Sequence, residues 1–594
     1  MAKAIYTNVP RQLSDILKDV RNGRIGLPDL QRPFVWKDNK VRDLYDSMLK
    51  GFPIGYIMLW ESPVDYDDKK AAIGVGEKAY KVPKDLVIDG QQRLTALVAS
   101  MYGETVKDKN FQDRRIRIGY KPQTKDFDVW TQAVENNPEY ISDISEAFAA
   151  KENNTSGKFR KDFIRRLNES RIKRNEPELS DEEEYQIEEN INELLHLESY
   201  QIPSLEIAYS SSEEDVADIF VRVNSAGQKL TENDFILTLI SVYEKERRDQ
   251  IDKFCADSRI PADKTSFNHL FSVDPSHIIR MTVGVGFRRA RLRYGYMILR
   301  GKDLQTGITS EQIRESNLDI FKKALDKVVD LNNWHGYLNI LKEAGYISDK
   351  LIASSNAVVF SYVLYLIAKY EYHMDSMRLR KIIRKWFFMA AITYFYTGNA
   401  ESDVEKQFAD MREFKTAEEL ESYLQRVIDA RFTDDYFKIT LPMELETSAA
   451  VSPSWFGYLA SQIVLGYPML FSTTPLSHMF SAGSSGTKNA VDKHHIFPKN
   501  YLAQIGIEKN RDRNQTANFT YLDYNTNIHV SDRQPRDYAA AFREKLGDEE
   551  YIKTCSQHAI PDNFEVMDYF EFIQNRRYLM AQIVKKAYQR LCNS

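Results

Sequence analysis

The stretch VIDGQQRLTAL, residues 87–97, predicts a buried strand, a tight polar loop and a helix in direct succession. A loop that leads into a helix N-terminus presents unpaired backbone N–H groups and the positive end of the helix dipole, which together attract anions. Gly90 allows the backbone to approach a ligand closely, Arg93 can bind phosphate oxygens with two parallel hydrogen bonds, and Asp89 could hold Mg²⁺ or orient a water. The stretch therefore predicts a phosphate site in an α/β domain, although many such junctions bind nothing.

Short extended runs alternate with helical ones on both sides of this stretch. The runs QLSDILKDVRNGRI and DNKVRDLYDSMLKGF have apolar residues at helical spacing, and Asp38 is expected to cap the second helix. IPSLEIAY, residues 202–209, reads as a strand. Residues 150–200 are dominated by Lys, Arg and Glu, which predicts a solvated helical hairpin, with a nucleic-acid-contacting arm as the alternative.

The composition limits the classes of protein. A chain of 594 residues is too long for one hydrophobic core, so two to four domains are expected. The net charge of −5 means that a nucleic-acid binder must rely on local basic grooves. Three widely spaced cysteines argue against a disulfide framework and a structural zinc site. With no signal peptide and no apolar run long enough to cross a bilayer, the sequence predicts a cytoplasmic protein.

The order of segments predicts three domains. Residues 1–245 form the α/β domain described above, residues 246–445 a helical coupling region without an assignable motif, and residues 446–594 a third domain. The chain as a whole is expected to be α+β and predominantly helical. It lacks the G-x-x-x-x-G-K-[ST] pattern, which excludes a P-loop NTPase.

Two adjacent histidines, His494 and His495, lie in VDKHHIFPKNYL (491–502) near the start of the third domain. Hydrolysis of a phosphodiester needs a nucleophilic water, a base that polarises it and a cation near the phosphate. Histidines followed by Asn518 and Asn527 can supply these parts on a β-hairpin followed by a helix. A histidine pair alone is more often structural, and the later asparagines favour the catalytic interpretation.

The geometry of a β-strand predicts on which side of the strand each of these side chains lies. Adjacent residues of a regular strand point to opposite faces, so Asp492 and His494 are expected to share one face. Asn527 and His529 are likewise expected to share a face, while His495 would point away, and His529 is therefore a rival metal ligand. The strand must end or twist at the histidine pair if both rings are to meet one phosphate.

The segments DKHHIFPK and ANFTYLD, followed by Asn527, resemble the HNH or ββα-metal nuclease motif. The resemblance implies that His495 is the general base, that His494 and Asn527 are ligands of Mg²⁺ or another divalent cation, and that Asn518 stabilises the loop of the motif. Six basic residues near the motif are candidates for holding the DNA backbone, although each alone reads as ordinary surface. They are Lys499, Lys509, Arg511, Arg513, Arg533 and Arg536.

The amino-terminal segments DGQQRLTAL, LQRPFVW, FPIGYIMLW and FVRVNSAGQKLTENDF resemble the first domain of GmrSD-type restriction endonucleases. The resemblance implies a ParB/sulfiredoxin-like fold whose DGQQR loop binds and hydrolyses a nucleoside triphosphate. The implied nucleotide-binding residues are Asp89, Gly90, Gln91, Gln92, Arg93, Gln31 and Arg32, of which Asp89 and Arg93 are also implied to be catalytic, with Asn224 a weaker candidate. A structural role as a polar brace is an equal alternative for Gln31 and Arg32.

The combined resemblance implies an NTP-regulated, modification-dependent DNA endonuclease of antiphage defence. The nucleotide (GTP, UTP, CTP or ATP) and the DNA modification are left open, and a homodimer is one assembly that the sequence allows. Two other classes of function remain as alternatives. One is a nucleotide-switched ParB-like DNA-binding or adaptor protein, and the other is an abortive nuclease that acts on host DNA or on RNA.

Overall fold

The computed structural model describes most of the chain, in ten ranges and a few single positions. The ranges are 6–26, 34, 36–61, 83–107, 113–208, 244–258, 270–449, 451–480, 491–530 and 532–593, and the single positions are 211, 216, 219, 233, 236, 237 and 240. The chain forms two compact units, Met1–Asp252 and Lys253–Ser594. The described residues are mostly helical with a small mixed sheet near the amino terminus, which confirms the α+β class. The division into three domains stays a prediction.

A five-stranded mixed sheet organises the first unit. The strands of this unit are β1 (Tyr6–Gln12), β2 (Ile25–Gly26), β3 (Ile57–Glu61), β4 (Asp85–Asp89), β5 (Thr105–Lys107), β6 (Asp113–Arg115), β7 (Ile118–Lys121), β8 (Asp126–Val129) and β9 (Gln201–Ile207). The sheet has the order β1-β9-β3-β4-β2, and β5 pairs with β6 and β7 with β8. Strands β3 and β4 are antiparallel and almost fully buried, which places the predicted loop at the end of a central strand.

The helices of this unit confirm most of the sequence pattern. They are α1 (Leu13–Arg21), α2 (Asp38–Leu49), α3 (Gln91–Tyr102), α4 (Gln132–Asn136), α5 (Ile144–Glu152), α6 (Ser156–Lys173), α7 (Asp181–His196) and α8 (Lys245–Asp257), the last of which crosses the boundary between the units. The predicted cap at Asp38 was wrong, because Lys37 is the N-cap of α2 and the Asp38 carboxylate binds Arg114 instead. The predicted end of α3 is confirmed, since Gly103 closes it with a positive φ of 68°.

The charged segment forms the predicted hairpin of α6 and α7. Its cations are mostly engaged within the first unit: Arg165 pairs with Asp162, Arg171 with Glu183, and Arg174 with Glu139. A capping box of Ser180 and Glu183 starts α7. The hairpin is therefore a self-neutralised surface element, and the nucleic-acid arm gains no support.

Within its described residues, the second unit is a helical assembly with one short strand pair. Its strands are β10 (Val491–His495) and β11 (Phe519–Asp523). Its helices are α9 (Pro275–Phe287), α10 (Leu292–Leu299), α11 (Glu311–Val328), α12 (Leu331–Glu343), α13 (Ser355–Tyr370), α14 (Ser376–Ile392), α15 (Ala400–Met411), α16 (Ala417–Arg431), α17 (Leu441–Glu444), α18 (Pro453–Leu465), α19 (Lys499–Gln504), α20 (Asn510–Arg513), α21 (Tyr524–Val530), α22 (Pro535–Leu546), α23 (Asp548–Gln557) and α24 (Tyr569–Asn593). No helix in the described part of the chain combines the length and apolar character that a membrane crossing requires.

Close packing joins the helical middle to the residues that follow it. Helix α14 contacts both α18 and α24. At the contact with α18, a Cβ on Gly457 would come within 2.4 Å of the Ile392 side chain, so only glycine permits this approach. The long carboxyl-terminal helix α24 also reaches the strand pair through Arg576, whose contacts are described below.

Candidate functional site

The histidine pair lies at the end of β10, which pairs with β11 in an antiparallel register. His494 is opposite Thr520, and His495 is opposite Phe519. Helix α21 begins directly after β11 and packs against both strands. The predicted order of strand, strand and helix is therefore present, with a connection of small helices between the strands.

The His495 ring is held on two sides. Its Nε2 lies 3.0 Å from Oδ1 of Asn514, and its ring meets that of Phe519 edge-to-face with the centroids 4.8 Å apart. With Oδ1 as the acceptor, Nε2 carries the proton and Nδ1 keeps its lone pair. In this tautomer Nδ1 is the basic nitrogen of the ring.

Asn518 is fully buried and stabilises the loop that follows β10. Its Oδ1 accepts the Phe497 N–H at 2.8 Å, and its Nδ2 donates to the carbonyl oxygens of Phe497 at 3.0 Å and Arg513 at 3.1 Å. Its own carbonyl accepts the Ile496 N–H at 2.8 Å. These bonds fix the backbone that follows His495 and the backbone that precedes Asn514.

Asn527 and His529 lie on helix α21 and not on a strand, so the expectation that they share a face was wrong. Positions two apart on a helix point in nearly opposite directions, and Asn527 is half-buried whereas His529 is exposed. The helix starts here because the Asp523 carboxylate accepts the Thr526 N–H at 2.8 Å, which caps its first turn. Of the two, only Asn527 has a side chain that is partly enclosed beside the strand pair.

A buried arginine, Arg576, binds the backbone at the start of β11. Arg576 is fully buried, and its Nη1 donates to the carbonyls of Ala517 at 2.6 Å and Phe519 at 2.8 Å, on either side of Asn518. Its other nitrogens donate to the carbonyl of His558. Burial lowers the pKa of Arg576. The backbone carbonyls replace water as hydrogen-bond acceptors for the guanidinium group. These bonds fix the position of the strand.

His558 is a buried neutral histidine of the same support. Its Nε2 donates to the Pro468 carbonyl at 2.9 Å, and its Nδ1 accepts from Thr520, the residue opposite His494. Burial lowers the pKa of His558 to about 4, and the charge of Arg576 acts in the same direction. Sequence analysis singled out neither Arg576 nor His558, because nothing in their local sequence marks them.

Exposed cations lie along the chain near this site. None of them has a carboxylate partner among the described residues, unlike Arg165, Arg171 and Arg174 of the α6–α7 hairpin. They are Lys499, Lys509, Arg511, Arg533 and Arg536. The sixth predicted cation, Arg513, is half-buried and donates to Asn510.

The DGQQR loop of the first unit has the predicted form. Gly90 alone separates β4 from α3, with a φ of 91°, and no side chain caps the helix. A Cβ at this position would lie 3.2 Å from the Ile57 side chain, so both conformation and space favour glycine. Asp89 is half-buried at the end of β4, and Gln91 donates to the Val87 carbonyl at 2.6 Å.

Arg93 lies in the first turn of α3 and bends towards the preceding loop. Its Nη1 donates to the Tyr56 carbonyl at 2.7 Å, and a Cβ on Gly55 would lie 3.0 Å from its Nη2. Burial lowers the pKa of Arg93, and the Asp89 carboxylate opposes this effect. Arg93 and Asp89 therefore share one polar environment next to the loop. The other candidates, Gln31, Arg32 and Asn224, lie outside the described residues.

A metal site was predicted from one histidine and one asparagine. Among the described residues, no group of three or more His, Cys, Asp or Glu side chains is arranged to hold a metal ion. A pair made of His494 and Asn527 is a smaller set, completed in many Mg²⁺ sites by water and phosphate oxygens. The ligand assignment stays a prediction.

Comparison with known proteins extends across both units. An uncharacterized protein of Methanocaldococcus jannaschii is 23% identical over 596 residues, spanning 95% of this chain and 93% of the relative. The similarity to this one relative therefore includes the segments of both candidate sites. Residues 13–241, which include the DGQQR loop, match the family described as the GmrSD restriction endonuclease N-terminal domain, and this match supports a GmrSD-type amino-terminal domain.

Proposed function

We propose that this chain is a DNA endonuclease that cleaves modified DNA, with its nuclease site at β10, β11 and α21. The observation that carries the proposal is the His495 ring, bound through Nε2 by Asn514 so that Nδ1 is the basic nitrogen. The match to the restriction endonuclease family implies a nuclease that acts on DNA. The exposed cations near the site are suited to the phosphate backbone.

In this mechanism His495 Nδ1 takes a proton from the water that attacks the scissile phosphorus. Asn514 keeps the proton on Nε2, and the edge of Phe519 restricts the rotation of the ring, so little reorganisation is needed at the moment of reaction. Asn518 and Arg576 hold the two backbone segments that carry these groups. General-base catalysis of this kind contributes roughly 10²–10⁴-fold to the rate.

His494 and Asn527 would hold a divalent cation in the proposed site. An imidazole nitrogen and an amide oxygen suit a site that keeps several waters, and α21, which carries Asn527, packs against β10. A bound cation supplies positive charge that offsets the charge developing on the phosphate.

The DGQQR loop is the proposed nucleotide site. Gly90 brings the backbone close to a phosphate, and α3 presents its uncapped N-terminus there. Gln91, Gln92 and Arg93 follow in the first turn, and Asp89 precedes them. Our hypothesis is that nucleotide hydrolysis at Asp89 and Arg93 gates the nuclease, because a constantly active nuclease would damage host DNA.

The test is a substrate panel with the purified full chain. Modified plasmid DNA, unmodified plasmid DNA and RNA are each incubated with Mg²⁺, with and without each nucleoside triphosphate. The proposal predicts Mg²⁺-dependent nicking or cutting of modified DNA that responds to nucleotide. Preferential cleavage of RNA or of unmodified DNA would instead support the abortive nuclease, and DNA binding without cleavage would support the ParB-like adaptor.

A further inference from the structure

A strongly basic segment lies in the helical middle, where the sequence offered no motif. Residues 275–302, which comprise α9, α10 and their flanking residues, contain no Asp or Glu. Their cations are Arg280, Arg288, Arg289, Arg291, Arg293, Arg300 and Lys302. In a chain of net charge −5 such a concentration requires a local explanation.

Three of these cations have internal partners. Arg280 pairs with Glu401, Arg288 with Glu371, and Arg289 with Glu405 at 2.6 Å. Glu405 also accepts the backbone N–H of Ala290 at 2.8 Å. These ion pairs attach the segment to neighbouring helices. Part of its positive charge therefore has a structural role.

Arg291 and Arg293 differ from these three, because neither has a carboxylate partner within the described ranges. Arg293 is exposed, and its Nη2 donates to the Tyr294 hydroxyl at 3.0 Å. Arg291 donates to the Ser402 hydroxyl at 2.8 Å. The Arg289 and Arg293 guanidinium carbons lie 5.3 and 4.8 Å from the Tyr294 ring centroid. Guanidinium groups therefore surround a single phenol.

The Tyr294 hydroxyl lies in a region of positive electrostatic potential. The hydrogen bond from Arg293 and the charges of Arg293 and Arg291 lower the pKa of Tyr294, so an oxyanion is favoured where the hydroxyl oxygen lies. Positive potential, two guanidinium groups without carboxylate partners among the described residues, and a half-buried hydroxyl donor beside the exposed Arg293 are the features of a phosphate contact.

We propose that Arg291, Arg293 and the Tyr294 hydroxyl bind a backbone phosphate of duplex DNA. The phosphate oxygens would accept N–H groups from both guanidinium groups and the O–H of Tyr294, replacing the present contact between Arg293 and the phenol. Such a contact positions DNA without reading its sequence. The inference rests on the proposed function in taking DNA as the ligand, and it adds a binding site remote in sequence from His495.

The test is the salt dependence of duplex binding by the full chain. A fluorescently labelled duplex is titrated with His495→Ala protein, which prevents cleavage, and with the same protein carrying Arg293→Gln, Arg291→Gln or Tyr294→Phe. Each lost phosphate contact should reduce the slope of log affinity against log salt by about 0.9. We therefore expect a shallower slope for either Arg→Gln variant. Tyr294→Phe keeps both charges and should keep the slope, with roughly threefold weaker binding.

Lys322→Gln is the matched control, because Lys322 is a cation of the same unit that pairs with Asp319. An Arg293→Gln slope equal to that of Lys322→Gln would overturn the inference. Arg293 is exposed and its hydrogen bond goes to its neighbour, so its replacement tests the site even if Arg291→Gln misfolds. Plasmid cleavage by protein with the native His495 is measured in parallel. Reduced slopes together with no wild-type cleavage would support the phosphate site while rejecting the nuclease.

Discussion

The two candidate sites differ in how their polar groups are held. Around His495, two asparagines fix the geometry: Asn514 bonds the ring, and Asn518 bonds the backbone of Phe497, two residues further along the chain. At the DGQQR loop, by contrast, Arg93 donates to the Tyr56 carbonyl of its own chain. The proposed nuclease site is therefore preorganised, whereas Arg93 must exchange a hydrogen bond before it can bind a phosphate.

This difference has a functional meaning under the proposed gating. A preorganised site needs an external restraint to remain inactive, and a site that rearranges on binding can supply the signal. The energy for that signal must come from a difference in nucleotide affinity between two states of the Arg93 side chain. The predictions below separate the two sites by breaking one and leaving the other intact.

Among the variants that alter the support of a site, the largest effect is expected for Asn518→Ala. Losing three side-chain hydrogen bonds at a buried position should cost about 3 kcal/mol of stability. Because the His495 loop is then displaced, cleavage should fall on the order of 10²-fold or more. Chemical denaturation and plasmid cleavage measure the two effects. Asn500→Ala is the matched control, since the Asn500 amide is exposed and bonds the Asp532 carboxylate, and it should change neither quantity appreciably.

Arg93→Ala should remove the nucleotide response and spare the nuclease chemistry. A hydrogen bond to a charged group contributes about 1.5–3 kcal/mol, so nucleotide binding should weaken by roughly 10- to 100-fold. Nucleotide binding and plasmid nicking with and without nucleotide are the measurements. Arg42→Ala, in the same unit and paired with Asp43, should retain both properties. The gating hypothesis would be refuted if wild type and Arg93→Ala nick plasmid at the same rate and nucleotide changes neither rate.

Replacing Asn514 should alter the His495 base with a smaller effect. Asn514→Ala removes one orienting hydrogen bond and should slow cleavage by about tenfold with little change in DNA affinity. Asn514→Asp places a carboxylate beside the ring, which favours the imidazolium form, so the acid limb of the rate profile should move to higher pH. An unchanged profile for Asn514→Asp would mean that this ring is not the base.

The smallest effect near neutral pH concerns His558. Its pKa is lowered to about 4 in the folded chain from an ordinary value of 6.5. The stability of the second unit should therefore be intact above pH 6.5 and fall as the pH approaches 4, by about 3 kcal/mol. His558→Gln should flatten this dependence in denaturation curves at several pH values. The exposed His478→Gln should leave it steep, and an equal slope in all three proteins would refute the assignment.

The sequence predicted the elements whose signals are local. The strand, glycine and helix of the DGQQR loop follow from an apolar run, a residue that tolerates positive φ, and a second glycine at the helix end. The strand pair followed from the nuclease resemblance, and the role of Asn518 in that motif stays a prediction. In each case the deciding residues lie within one short segment of the chain.

Contacts between segments that are distant along the chain could not be predicted from the sequence. Asn514 is four residues before Asn518 and carried only the weak signal of a second asparagine in the same run. Arg576 reaches the site from the last helix, and no local pattern shows that a buried arginine will bind three carbonyls there. The strand expected at Asn527 was wrong because the Asp523 cap starts a helix.

The most direct measurement is single-turnover cleavage of modified plasmid DNA by wild type, His495→Ala and His529→Ala at saturating Mg²⁺. His529 is the exposed rival on α21 and serves as the matched histidine control. The proposed mechanism predicts that His495→Ala cleaves roughly 10²–10⁴-fold more slowly while binding DNA normally, and that His529→Ala cleaves at the wild-type rate. Undiminished cleavage by His495→Ala would contradict it.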